Sequence, residues 1–199
     1  MNREKMQVRA HSERFQTREE ETGEKYISGY FSVFDSNYEM WPGATESIAP
    51  TAFDDALDDD IRCLIDHKSR YVLGRTKAKT LELRKDNHGL WGEVMINEKD
   101  QDAMNLYERV KRGDVDQCSF GFDILDEERT INDETGEVHW YVKAVKLYEV
   151  SVVTFPAYED TGVIARKREQ EEIKKRRIEC GKAELRKKLK GEKNGTQSA

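Results

Sequence analysis

Apolar side chains in this chain fall mostly at alternate positions over short runs, the spacing of half-buried strands. The run EKYISGYFSVFD (24–35) mixes aromatic and β-branched residues around Gly29 and predicts a strand with a bulge. Residues 36–50, with Pro42, Gly43 and Pro50, read as a loop. Thr51 is placed to cap a short helix with Phe53, Ala56 and Leu57 on one face. Residues 61–66 alternate as a strand, and 79–84 and 89–96 flank a hairpin connection over 85–88. Asp100 or Asp102 opens a helix whose apolar face is Ala103, Leu106, Tyr107 and Val110, and Gly113 ends it. Residues 115–125 form a strand, 132–136 a turn, and 138–155 one or two further strands closed by Pro156.

Many short strands with few helices predict an α+β, β-rich fold over residues 24–164. The expected form is a closed or barrel-like, mostly antiparallel sheet with a few flanking helices. Residues 1–23 read as a flexible N-terminal arm able to supply a first strand. Beyond 165, Ile173, Ile178, Leu185 and Leu189 are the only large apolar side chains. That is too few for a core, so 165–199 reads as a charged helical or disordered extension.

Composition sharpens this division. Of 199 residues, 36% are hydrophobic and 37% charged, so the core is compact and some of the chain lies outside it. The net charge is −6, but residues from Ala165 onward carry +7 and the preceding body −13. An acidic body with a basic tail steers association with a partner. The tail lacks aromatics and intersperses Glu169, Glu171, Glu172, Glu179 and Glu184, which favours a solvated helix over a nucleic-acid ligand. No apolar run approaches the ~20 residues that cross a bilayer, and residues 1–10 lack the apolar stretch of a secretory signal. A soluble, intracellular protein without a membrane partner is expected. Cys63, Cys118 and Cys180 are odd in number and irregularly spaced, which defines neither a disulfide framework nor a zinc site.

Among the histidines, His11 lies in the polar arm, His88 in a hairpin turn, and His139 beside Trp140 suits a cross-strand role. His67 follows Ile61, Cys63 and Ile65 in the same parity, which projects it from an apolar strand face at a strand end. A general base can sit there, although a histidine so placed is more often structural. In QCSFGF, Cys118, Phe120 and Phe122 share one face while Ser119 and Gly121 take the other. Ser119 is either a space-filling hydroxyl or a nucleophile. Glu149 interrupts the apolar run KLYEVSVVTFP, a costly position for a carboxylate unless a partner such as a histidine pairs with it. Cys118 is the competing nucleophile, disfavoured by its core-side parity.

The segments GYFSVFD (29–35), LIDHKSRYVLGRT (64–76), LRKDNHGLWGEV (83–94), CSFGFDI (118–124) and LYEVSVVTFPAYEDT (147–161) resemble the prohead maturation proteases of tailed bacteriophages. The resemblance spans roughly residues 24–164 and implies a herpesvirus assembly-protease-like fold. It implies a serine endopeptidase needing no cofactor or metal, with His67 as base, Ser119 as nucleophile and Glu149 as the acidic third member. The herpesvirus enzymes use a backbone amide and an arginine-held water as oxyanion donors, a role the resemblance leaves open in this chain. The implied substrates are the scaffold segment of the major capsid protein, or the scaffolding protein, and the protease itself. The implied place is the prohead within the host cytoplasm. A homodimer follows only by analogy with the herpesvirus enzymes. The basic tail would dock onto scaffold or be removed by self-cleavage. The alternative class is a non-catalytic scaffolding protein, in which His67, Ser119 and Glu149 would be ordinary barrel residues.

Overall fold

The computed structural model describes residues 6–11, 15–155, 166, 170–183 and 185–186. Eleven strands and one long internal helix occur in the order β1 (Gln7–His11), β2 (Gln16–Glu19), β3 (Lys25–Val33), β4 (Tyr38–Trp41), β5 (Ala44–Ile48), β6 (Arg62–Ile65), β7 (Lys68–Arg75), β8 (Leu81–Lys85), β9 (Gly89–Ile96), α1 (Gln101–Arg112), β10 (Gln117–Ile131) and β11 (Val138–Val153). Residues 170–183 are also helical.

The strands form two sheets. One is four-stranded and antiparallel, in the order β2-β3-β9-β8. The other has seven strands built around the β10–β11 hairpin, whose turn lies at 132–136 as its Asn and Gly predict. β11 is long enough to carry two parallel neighbours in succession. Its first half pairs with β5 over Val138–Val142, and its second half with β6 over Glu149–Val152. β4 extends the sheet beyond β5 and β7 beyond β6, while β1 lines the far edge of β10.

The pairing is mostly antiparallel, as expected, but no closed barrel forms. Among the described residues a single parallel bridge, Phe34 to Ile48, is the one β-bridge between the two sheets, and neither closes on itself. Alternation buries one face of each strand, which suits two packed sheets as well as a barrel. Closure additionally needs matched tilt and register stagger, which alternation does not encode.

The apolar faces meet in one main core that includes Ile27, Phe31, Phe53, Leu90, Phe120, Phe122 and Val150. Phe53 packs edge-on to Phe120, with ring centroids 5.7 Å apart, and Phe120 stacks on Phe122 at 4.8 Å. α1 lies against β2, β3, β7 and β9 with the four expected residues buried. Its ends also follow the sequence. The Asp100 carboxylate accepts from the Asp102 and Ala103 amides, and Gly113 takes the left-handed conformation that ends the helix.

Several local expectations are corrected. Residues 36–50 contain β4 and β5; β4 pairs with β5, and β5 pairs in turn with Val138–Val142, far along the chain. Residues 50–58 make consecutive turns, with Asp54 N donating to Thr51 O and Ala56 N to Phe53 O, instead of a helix. The Thr51 hydroxyl donates to the Lys143 carbonyl and caps nothing. The bulge in β3 lies between Tyr30 and Ser32. Gly29 instead leaves room for the Phe15 ring, which a Cβ would meet at 2.7 Å. Pro156 and Leu189 lie outside the described residues.

Beyond the hairpin, Gln170 ties the C-terminal helix to the body. It accepts from the Trp41 indole at 2.5 Å and donates to the Gly43 carbonyl at 2.8 Å. Among the described residues no helix is long and apolar enough to cross a membrane.

Candidate active site

β10 and β11 set the site. Gly121 pairs with Glu149 and Ser119 with Ser151, and the two-residue period places these four on the same sheet face. Cys118, Phe120, Val150 and Val152 take the other face and enter the core. The glycine is required. Glu149 Oε1 lies 2.5 Å from where a Gly121 Cβ would be, so the carboxylate rests directly over the glycine backbone.

Glu149 is nearly buried, and both its oxygens are used. Oε2 accepts from the Ser151 hydroxyl at 2.5 Å. Oε1 lies 2.7 Å from His67 Nδ1. A carboxylate only accepts, so Nδ1 donates to it, and in the neutral imidazole Nε2 is the nitrogen with the lone pair. His67 Nε2 is buried and has no hydrogen-bond partner among the described residues. An imidazole nitrogen so placed has the geometry of a general base.

His67 reaches Glu149 by a route that strand parity does not anticipate. Asp66 and His67 are the two central residues of the β6–β7 turn and have φ of 48° and 57°. Left-handed conformations at both positions define the tight turn that matches strand twist, usually with Asn or Gly. Each non-glycine residue there costs roughly 1–2 kcal/mol. Two bonds hold the turn: Asp66 N donates to the Val152 carbonyl at 3.0 Å, and Asp66 Oδ1 accepts from Thr154 N at 2.9 Å. The turn thus carries His67 away from the apolar face of Cys63 and onto the face of Glu149.

Ser119 is fully buried. Its hydroxyl donates to the Arg9 carbonyl of β1 at 2.8 Å. Of the three residues singled out in the sequence, His67 and Glu149 are directly bonded, while Ser119 stands on their sheet face with its hydroxyl committed to β1.

The other candidates sort by face. Cys118 is buried on the core side, and its thiol donates to the Tyr30 carbonyl at 2.9 Å. Burial and the nearby Glu149 charge push the Cys63 thiol well above its ordinary range, which keeps it protonated. His139 takes the cross-strand role, with Nδ1 2.8 Å from Thr45 Oγ1 and Nε2 3.0 Å from Ser47 Oγ. His88 packs edge-on to Tyr30. The His11 side chain lies outside the described residues.

Sequence reasoning missed Ser151, although a residue two places beyond Glu149 in a strand must share its face. It also missed a buried ionic cluster behind β10. Glu46 on β5 takes Arg9 on one side and Arg166 on the other, and Arg166 also binds Glu127 and lies over the Trp140 ring. Burial raises the Glu46 carboxyl, but the Arg9 and Arg166 guanidinium groups together outweigh that and hold it below the usual carboxylate range.

A histidine bonded to a buried carboxylate, on a sheet face that also carries a strand serine, has the residue types of a serine hydrolase site. The chain belongs to the caudovirus prohead serine protease family, whose model matches residues 13–176. It is 29% identical over 141 residues to the prohead protease of Enterobacteria phage HK97, an alignment covering 71% of this chain and 60% of that protein. This chain therefore spans less than two thirds of the length of that relative. In fold it resembles the capsid assembly protease of bacteriophage T4, with a TM-score of 0.51 and 11% identity over 75% of this chain and 97% of that one.

Proposed function

We propose that this chain is a serine endopeptidase of prohead maturation in which Glu149, His67 and Ser119 form one proton relay. The observation that carries the reading is the 2.7 Å bond between His67 Nδ1 and Glu149, which leaves a buried, unpartnered Nε2 on the sheet face of Ser119. In this reading the Ser119 hydroxyl leaves the Arg9 carbonyl and donates to that nitrogen. His67 then takes the Ser119 proton as Oγ attacks a peptide carbonyl carbon. Glu149 stabilises the imidazolium, which returns the proton to the leaving amine as the C–N bond breaks. Water, activated by the same histidine, hydrolyses the acyl-enzyme.

The substrates in this reading are the scaffold segment of the major capsid protein or a separate scaffolding protein, and the protease itself, inside the prohead in the host cytoplasm. Family membership and the likeness to the HK97 and T4 proteins support it. Confinement adds a physical reason: enclosing enzyme and substrate raises the effective concentration toward ~mM, so weak binding suffices.

The test is to incubate the full chain with its cognate capsid subunit and scaffold and to map the new termini by mass spectrometry. Discrete cuts that vanish with Ser119→Ala are expected. Cuts that persist at the wild-type rate in that variant would remove Ser119 as nucleophile.

A further inference from the structure

β10 has two edges. β11 holds one along nearly its whole length, while β1 holds the other over only five residue pairs, Gln7–Phe122 to His11–Cys118. An extended peptide needs such an edge for main-chain pairing. β1 lies where that peptide would lie: Ala10 stands opposite Ser119, and the carbonyl that takes the Ser119 hydroxyl belongs to the Arg9–Ala10 peptide bond. With β1 in place Ser119 is wholly covered, so no other carbonyl reaches it.

The Arg9 side chain is also read. Its Nε donates to Glu46 Oε1 at 2.5 Å and its Nη2 to Oε2 at 3.0 Å. Its remaining contacts include the Val8 carbonyl, the Gln7 side chain and the Phe122 ring face. Glu46 is 1% exposed and shares its other side with Arg166, which in turn holds Glu127. With Arg9 present, two guanidinium groups balance two carboxylates. When β1 leaves, one buried negative charge is uncompensated, which is costly unless another cation enters.

We propose that β1 occupies the substrate's main-chain track along β10, and that Glu46 is a specificity-determining residue selecting a basic side chain on the acyl side of the scissile bond. The inference rests on Ser119 being the nucleophile. β1 holds the resting enzyme closed, because the hydroxyl donates to the carbonyl oxygen of Arg9 instead of approaching its carbon.

The test uses the full chain and an Arg9→Glu variant, which sets a carboxylate against Glu46 and expels β1. A second variant lacking residues 1–11 serves if the first does not fold, with thermal unfolding as the check on both. The readouts are the rate of Ser119 acylation by an activated aryl ester, with release of the aryl oxide, and kcat/KM on quenched peptides that differ only in having Arg or Leu on the acyl side. Displacing β1 is expected to speed acylation at least about tenfold. Arg peptides should be preferred about 100-fold, and Glu46→Gln should remove most of that preference. Equal acylation rates with and without β1, or equal kcat/KM for Arg and Leu peptides, would overturn this inference while leaving Ser119 as nucleophile. Folded protein whose Ser119 is never acylated, with or without β1, would overturn the nucleophile reading, and this inference with it. The peptide comparison can be made on the unmodified chain, so it stands whether or not either variant folds.

Discussion

Ser119 and Ser151 stand opposite one another across the β10–β11 pair, yet their hydroxyls serve different oxygens. Ser151 donates to the Glu149 carboxylate and Ser119 to the Arg9 carbonyl. One serine supports the carboxylate that holds the histidine, and the other ties β10 to β1.

The two should separate in mutagenesis. Ser119→Ala is expected to lower turnover by about 10⁴- to 10⁶-fold with the fold intact. Ser151→Ala removes one hydrogen bond from a charged acceptor and should cost no more than about 10- to 100-fold. Peptide hydrolysis on purified variants decides, and a reversed order would move the nucleophile to Ser151.

Glu149→Gln keeps the volume of the side chain but offers an amide where His67 Nδ1–H needs an acceptor. Loss of the preferred tautomer should reduce kcat by about 10⁴. NMR of the imidazole nitrogens would show the proton shifting from Nδ1 to Nε2, and an unchanged tautomer would argue against the orienting role.

Gly121→Ala tests the closeness of backbone and carboxylate. The new methyl would lie 2.5 Å from Glu149 Oε1 and 3.0 Å from Met6 Sδ. Overpacking should cost about 1–3 kcal/mol in unfolding free energy. Because Oε1 is the atom that holds His67, displacing it should also cost at least about 10² in kcat. Full activity in this variant would show that the contact can relax without disturbing the histidine.

Acid stability should report on Glu46. Its folded-state pKa lies below the unfolded carboxylate value of roughly 4.3. Its contribution is therefore complete above that value and is lost as pH falls through the lower folded-state value. Melting temperatures of the wild type and Glu46→Gln, measured from pH 7 downward, should differ most at neutral pH and converge in acid. A gap that widens in acid would reverse the assignment.

Local signals in the chain were readable where one stretch decides the outcome. Asp100 and Gly113 bound α1 because capping is a contest among near neighbours. The β8–β9 hairpin and the 132–136 turn are similar cases. β5 was hidden because its strand character comes from parallel pairing with Val138–Val142, far along the chain. His67 and Glu149 stood out as a base and a carboxylate in costly settings, but the orientation of His67 did not. Asp66-His67 carries no glycine to announce two left-handed residues, so alternation was extended one step too far. Arg9 and Glu46 lie in stretches that read as an arm and a loop. Only the meeting of β1, β5 and residue 166 makes them interior.

Arg9 and Ser119 are 110 positions apart in the chain. Joining ends so distant delays the ladder between Gln7–His11 and β10 until the central hairpin exists, since loop closure must be paid before such a contact is rewarded. Held by so short a ladder, that first strand should also be among the earliest to fray, opening well below the free energy of global unfolding. Amide exchange would then see its protons lost to deuterium while those between β10 and β11 remain protected.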